Sequence, residues 1–180
     1  PIFEGPLDFG IPSLYQGKKR VLPAFGLAER LPPIDCILLT QGLEDHAHTK
    51  TLRKLHALDP SVPVVAPPSA QGALAESGFW SSRADTSQVR FLKHQEVTDI
   101  WPRAGKDKDD DTSYVRVRAT EGALVGPPWQ QRENGYILKA KGPQGESLSS
   151  VYIEPHVEFN ERELSKLGPV DVVISPISGM

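Results

Sequence analysis

One cysteine among 180 residues, Cys36, has no partner for a disulfide within the chain, and that scarcity fits a reducing compartment. Long apolar runs are missing as well. None approaches the roughly 20 residues needed to cross a bilayer, and no basic segment followed by an apolar one opens the chain, so a soluble protein is expected. An excess of positive charge is also absent: 20 Lys and Arg stand against 23 Asp and Glu, a formal net charge of -3. Nucleic acid and anionic membrane surfaces select clustered cations, so both drop out as expected partners. There is no Gly-x-Gly-x-x-Gly after a strand, no Walker loop, no Gly-x-Ser-x-Gly elbow and no Cys-x-x-Cys pair. Dinucleotide, nucleotide and serine-hydrolase chemistry therefore have no anchor.

What is present is a composition, 38% hydrophobic and 24% charged, that buries one substantial core, so a single domain over residues 1–180 is expected. The chain begins at Pro1 rather than Met and stops just after a strand-like run, which reads as part of something longer. Pro1 to Glu4 looks like the end of a strand. Gly5-Pro6, Gly10, Pro12 and Gly17 then punctuate a connection to Lys18-Lys19-Arg20, read as a solvated surface patch. Ile34 to Thr40, bounded by Pro32-Pro33 and Gly42, is expected to be a buried strand.

Leu52, Leu55 and Leu58 recur between Thr49 and Asp59 with Lys50, Arg53 and Lys54 opposite, which predicts an amphipathic helix. Val62 to Ala66 reads as a strand and Ser69 to Ser77 as a helix with Ser69 as its N-cap. This order is a βαβα pattern, which would place the loop Gln41 to His46 at the carboxyl end of a parallel strand, where sites gather. The second half is β-rich, with strands expected at Val89–Leu92, Ser113–Ala119, Tyr136–Ala140 and Ser150–Glu154. Lys106 to Asp111 carries an acidic run without the Gly and terminal Glu of an EF-hand, so a solvated turn is expected there. A helix over Glu161–Leu167, capped by Asn160, and a strand over Val170–Pro176 complete the pattern. The fold class is α/β (α+β), expected as a four-layer αββα sandwich incomplete at both termini.

The chemistry-bearing groups concentrate at two strand ends: Asp45, His46 and His48 at one, Glu154 and His156 at the other. Transition metals need deprotonated N, O or S donors converging on one point, and adjacent strand ends deliver these from remote positions. The structural reading is equally open, since Asp45 is placed to cap the following helix and His48 to pack on its first turn.

At these residues the chain resembles the metallo-β-lactamase superfamily. Ile34 to Thr40 followed by Asp45-His46 is similar to that family's strand leading into its His-x-His-x-Asp-His loop. Ala119-Thr120-Glu121-Gly122-Ala123 falls where a Gly-His pair belongs, Tyr152 to His156 where a strand ends in Gly-Asp, and Val170 to Pro176 resembles the strand after it. More narrowly, Thr40 to His46, Gly126-Pro127-Pro128-Trp129 with Glu133-Asn134-Gly135-Tyr136, and Tyr152 to His156 resemble plastid metallo-hydrolase-like proteins of plants and algae.

The resemblance implies a degenerate metal site. Gln41, Leu43 and Ala123 stand where the three ligands of the first metal would be. For the second metal, Asp45 and His46 are kept, Pro155 replaces the bridging Asp, and the last His would fall beyond Met180. Residual candidates are Asp45, His46, Glu154 and His156, for either no cofactor or a single divalent ion such as zinc, iron or manganese. Two functions follow from this. One is a non-catalytic binding or assembly subunit, in a chloroplast complex by the subgroup resemblance, with a protein partner. The other is a mononuclear metal-dependent hydrolase acting on a small ester, amide or lactone-like molecule, with Trp129 and Tyr136 as apolar pocket walls. A docking role for Pro12-Ser13-Leu14-Tyr15 together with the basic cluster Lys18-Lys19-Arg20 would show itself as an exposed apolar patch.

Overall fold

The computed structural model describes residues 2–18, 31–81, 88–103, 113–124, 129, 132–156, 160–166 and 168–176. Lys19, Arg20, Lys106 to Asp111 and Gly126 to Pro128, which carried expectations above, lie outside that set. The chain divides into two compact units, Pro1–Phe91 and Leu92–Met180.

The first unit is built on three parallel strands, β1 (Ile37–Leu38), β2 (Val64–Ala66) and β3 (Val89–Phe91), in that spatial order. β2 is central and buried along its whole length, which explains its uninterrupted apolar sequence. Pro63 sits just ahead of β2, where its missing N–H costs no ladder bond, and its carbonyl accepts from Ile37 N. Helix α1 (Thr49–Leu58) links β1 to β2; the 3-10 turn Pro68–Ala70 and helix α2 (Gln71–Ser77) lie between β2 and β3. Leu39, Leu52, Val64, Leu74, Phe79 and Val89 form the core, so the βαβα reading holds.

Several local expectations need correction. Thr51 and Leu52 form the buried face of α1, whereas Leu58 is 48% exposed. Three-residue steps fall short of a turn, so Leu58 is rotated about 120° from Leu52. His48, not Asp45, occupies the N-cap of α1, and Ser69 lies inside the 3-10 turn rather than capping α2, whose N-cap is Ala70. Residues 2–4 form no strand: the Phe3 and Glu4 N–H groups donate to Thr51 Oγ1 instead.

The second unit is a five-stranded sheet in the order β4 (Val97–Ile100), β5 (Tyr114–Glu121), β6 (Asn134–Lys141), β7 (Ser147–Ile153), β8 (Val172–Ile174). β4 to β7 pair antiparallel and β8 joins β7 in parallel. The alternation of Val115, Val117 and Ala119 with Arg116 and Arg118 makes β5 a two-faced strand. Val117, Ala119, Tyr136, Ile137 and Tyr152 are buried. The short helix α3 (Glu161–Leu164) follows Asn160, whose carbonyl accepts from Leu164 N while its amide donates to Glu121 Oε2 at 3.1 Å. No helix among the described residues is long and apolar enough to cross a membrane.

Candidate functional site

The loop after β1 is shaped by backbone approach. A Cβ on Gly42 would lie 2.0 Å from the Ser69 carbonyl oxygen, so only glycine lets this loop press against the 3-10 turn. The loop then turns tightly, with His46 N and Ala47 N both donating to the Leu43 carbonyl, and buried Ala47 anchors it. This geometry positions Asp45 and His46 side by side. The His46 Nδ1 shares a 2.8 Å hydrogen bond with Thr40 Oγ1, and its Nε2 lies 3.6 Å from Asp45 Oδ2. One ring nitrogen is thus oriented by the strand end while the other lies beside a carboxylate.

His48 has a different job. Thr51 Oγ1 accepts from Phe3 N at 2.9 Å and Glu4 N at 3.2 Å, which uses both lone pairs. Its own proton is left for His48 Nδ1, 2.8 Å away, so His48 Nε2 carries hydrogen and donates to the Pro6 carbonyl at 3.3 Å. Burial holds the His48 pKa below its usual value, in keeping with a neutral ring. Both nitrogens are therefore committed to clamping residues 3–6 onto α1.

In the second unit, Glu154 and His156 follow β7. The Tyr152 hydroxyl donates to Glu154 Oε2 at 2.7 Å, and the His156 backbone N–H donates to Glu154 Oε1 at 3.4 Å. Burial raises the Glu154 pKa, while Tyr152, His156 and Ala123 hydrogen bonds pull it the other way. Burial is also the main cause of the raised Tyr152 pKa. The His156 imidazole does not join that carboxylate; its Nε2 lies 3.2 Å from Oε1 of Glu133, a residue only 2% exposed.

Glu133 is held by the end of the β5–β6 hairpin, donating from its N–H to Ala123 O and accepting from Gly122 N at 2.9 Å each. Its carbonyl also meets His94 Nε2 at 3.1 Å. Next to it, buried Asn134 donates to the Leu92 carbonyl at 2.9 Å and to the Tyr136 hydroxyl at 3.2 Å. Tyr136 is accordingly core rather than pocket wall, and Trp129 is almost fully exposed. Sequence reasoning did not rank Glu133 as a site residue. Its signal, a charged residue abutting the apolar start of a strand, is masked by the polar run Arg132-Glu133-Asn134, which reads as a turn.

Each unit thus presents one acid–imidazole pair, Asp45 with His46 in the first and Glu133 with His156 in the second. Either pair has donors suited to a divalent cation when the carboxylate is ionised and the imidazole neutral. The positions compared above with first-metal ligands have other chemistry. Gln41 is buried, Leu43 is 40% exposed and borders a cleft with Asp8, Lys50, Arg53 and Glu76, and Ala123 is 1% exposed.

Comparison with curated proteins finds no match to the chain. The sequence profile described as Beta-lactamase superfamily domain matches residues 14–180. The chain therefore belongs to the beta-lactamase superfamily, the family of the metallo-β-lactamase fold.

Proposed function

We propose that this chain is a metallo-β-lactamase-fold protein with a degenerate metal site, acting in binding or assembly within a chloroplast complex rather than in hydrolysis. The observation that carries this reading is the chemistry at Leu43 and Ala123. An alkyl side chain offers no N, O or S donor, so the two-metal arrangement that lowers the pKa of a bridging water and clamps an oxyanion does not fit these residues. A second feature agrees with binding: Phe9, Ile11, Leu14 and Tyr15 are exposed large apolar residues close in sequence, and Phe9 and Tyr15 have ring centroids 5.7 Å apart. The test is an ester, amide and lactone hydrolysis panel on the purified chain with added zinc, iron or manganese, with plastid fractionation beside it. No turnover above that of the free ions, and recovery in a plastid assembly, support the proposal; metal-dependent turnover sinks it.

The Glu133–His156 pair favours a second reading, a mononuclear metal-dependent hydrolase acting on a small ester, amide or lactone-like molecule. Glu133 and His156 would hold the ion from the second unit, and a bound ion would supply Lewis-acid polarisation of a carbonyl. Zinc titration of the chain against Glu133→Gln and His156→Ala separates the readings: tight binding lost in both variants, with turnover, supports the enzyme.

A further inference from the structure

The β4–β6 corner of the second unit carries a pattern of charge that the metal-site reading does not use. Arg116 lies directly opposite Asp99 on β4 and Lys139 on β6, and Tyr114 lies opposite Lys141. Directly opposed residues project from one face of a sheet, as do residues two apart on a strand. Arg116, Arg118, Lys139 and Lys141 therefore share a face, at one edge of which Asp171 is held by Ser150, the residue opposite Lys139; the acid directly across from Arg116 is Asp99. That acid is taken by Arg116, which donates through Nε to Oδ1 and through a terminal nitrogen to Oδ2, both at 2.8 Å. Arg118 donates to Gln95 Oε1 and Lys141 to Ser147 Oγ, both neutral groups, and the Lys141 charge also helps to hold the Asp99 pKa down. An Arg directly across from a Lys opposes sheet stability.

Aromatic surface adjoins these cations. Trp101 is 53% exposed, its ring centroid lies 5.7 Å from that of Tyr114, and the Arg116 guanidinium lies 5.6 Å from the Tyr114 centroid. The face thus offers two rows of cations, Arg116 among them already paired with Asp99, ending in an apolar shelf.

The geometry points to this face as a docking surface for an extended acidic peptide segment of a partner protein. This names the partner chemistry of the binding reading proposed above and rests on it. Same-face side chains on β6 repeat at about 6.8 Å, the repeat of alternate side chains in any extended peptide, so alternating Asp or Glu would meet Lys139 and Lys141 in register. Arg118 lies in the neighbouring row on β5, about 4.8 Å away. The chain's overall charge of -3 favours a short acidic segment over a long polyanion, whose capture depends on an extended positive field.

The experiment uses the full chain and a short fluorescein-labelled peptide of alternating glutamate and serine, read by anisotropy at low and raised salt. A lysine–serine peptide and a single-stranded oligothymidylate are the comparisons. Saturable binding of the glutamate peptide alone, weakened by salt and weakened at least about tenfold by Arg118→Glu with Lys139→Glu, supports the proposal. The single variant Lys139→Glu should melt at or above the parent temperature, because it puts an acid opposite Arg116; it keeps the test readable if the double variant misfolds. Absence of peptide binding, equal binding by the folded variants, or tighter binding of the oligothymidylate overturns it. The two proposals fail separately: a hydrolytically active chain that still binds the peptide here supports the docking face and sinks the non-catalytic reading. A chain that is inert and does not bind the peptide overturns the docking face alone.

Discussion

Tyr152 and Glu154 lie two residues apart at the end of β7, and the phenol hydroxyl of one donates a 2.7 Å hydrogen bond to the buried carboxyl of the other. Alternate residues on a strand share a face, so the strand itself supplies the acid with its donor. Removing that hydroxyl in Tyr152→Phe leaves a buried acceptor short of its partner. The expected loss is about 1–3 kcal/mol of unfolding free energy, measured by urea denaturation. A loss below about 0.5 kcal/mol would show that Glu154 is not held this way.

Gly42 and Gly72 should respond in opposite directions to the same added methyl group. At Gly42 it would meet the Ser69 backbone, which does not swing aside as a side chain does, while at Gly72, inside α2, nothing lies within 4 Å. Gly42→Ala is expected to cost about 3 kcal/mol, and Gly72→Ala to gain about 0.5–1 kcal/mol from helix propensity. Thermal melts of both variants check the pair; equal shifts would contradict the packed loop.

Cys36 should be a slow thiol despite being the chain's one cysteine. Burial pushes its pKa up to about 11, aided by the Asp35 charge and opposed by a Val65 backbone hydrogen bond. Because the thiolate is the nucleophile, alkylation by iodoacetamide at pH 8 is expected on the order of a hundredfold below that of a free cysteine, rising up to and beyond pH 10. A rate matching the free amino acid would refute the half-buried placement.

The Asp99–Arg116 pair gives stability with a defined pH sense. Its hydrogen bonds from Arg116 hold the Asp99 pKa below the usual 3.8, although burial opposes them. The contribution is therefore fully present above about pH 4–5 and disappears as pH falls through the lowered folded-state value. Melting temperatures of the parent and Asp99→Asn should differ by a constant amount near neutrality and converge below about pH 4. A difference that grows in acid would contradict the pairing.

Much of this architecture was legible because burial and period write themselves into sequence. The apolar Val62–Ala66 run became the central parallel strand β2, and the Val–Arg alternation after Ser113 became β5. β4 was missed because Val97-Thr98-Asp99-Ile100 is short and half polar, and its pairing with β5 is a tertiary fact. The candidate residues stand in the sequence one at a time, without their pairing. Asp45 and His46 adjoin in the chain, but the partner of the His156 ring, Glu133, comes from the preceding hairpin and sits in a polar run that resembles a loop. His48 offered both a ligand and a packing reading, and its bonds to Thr51 and Pro6 commit both ring nitrogens to the packing.

Metal content tests the central claim most directly. The purified full-length protein, analysed for zinc, iron and manganese beside a variant carrying both Asp45→Ala and His46→Ala, is expected to hold well under one ion per chain, with no difference between the two. One or more ions per chain in the parent, lost in the double variant, would contradict the account and restore a metalloenzyme.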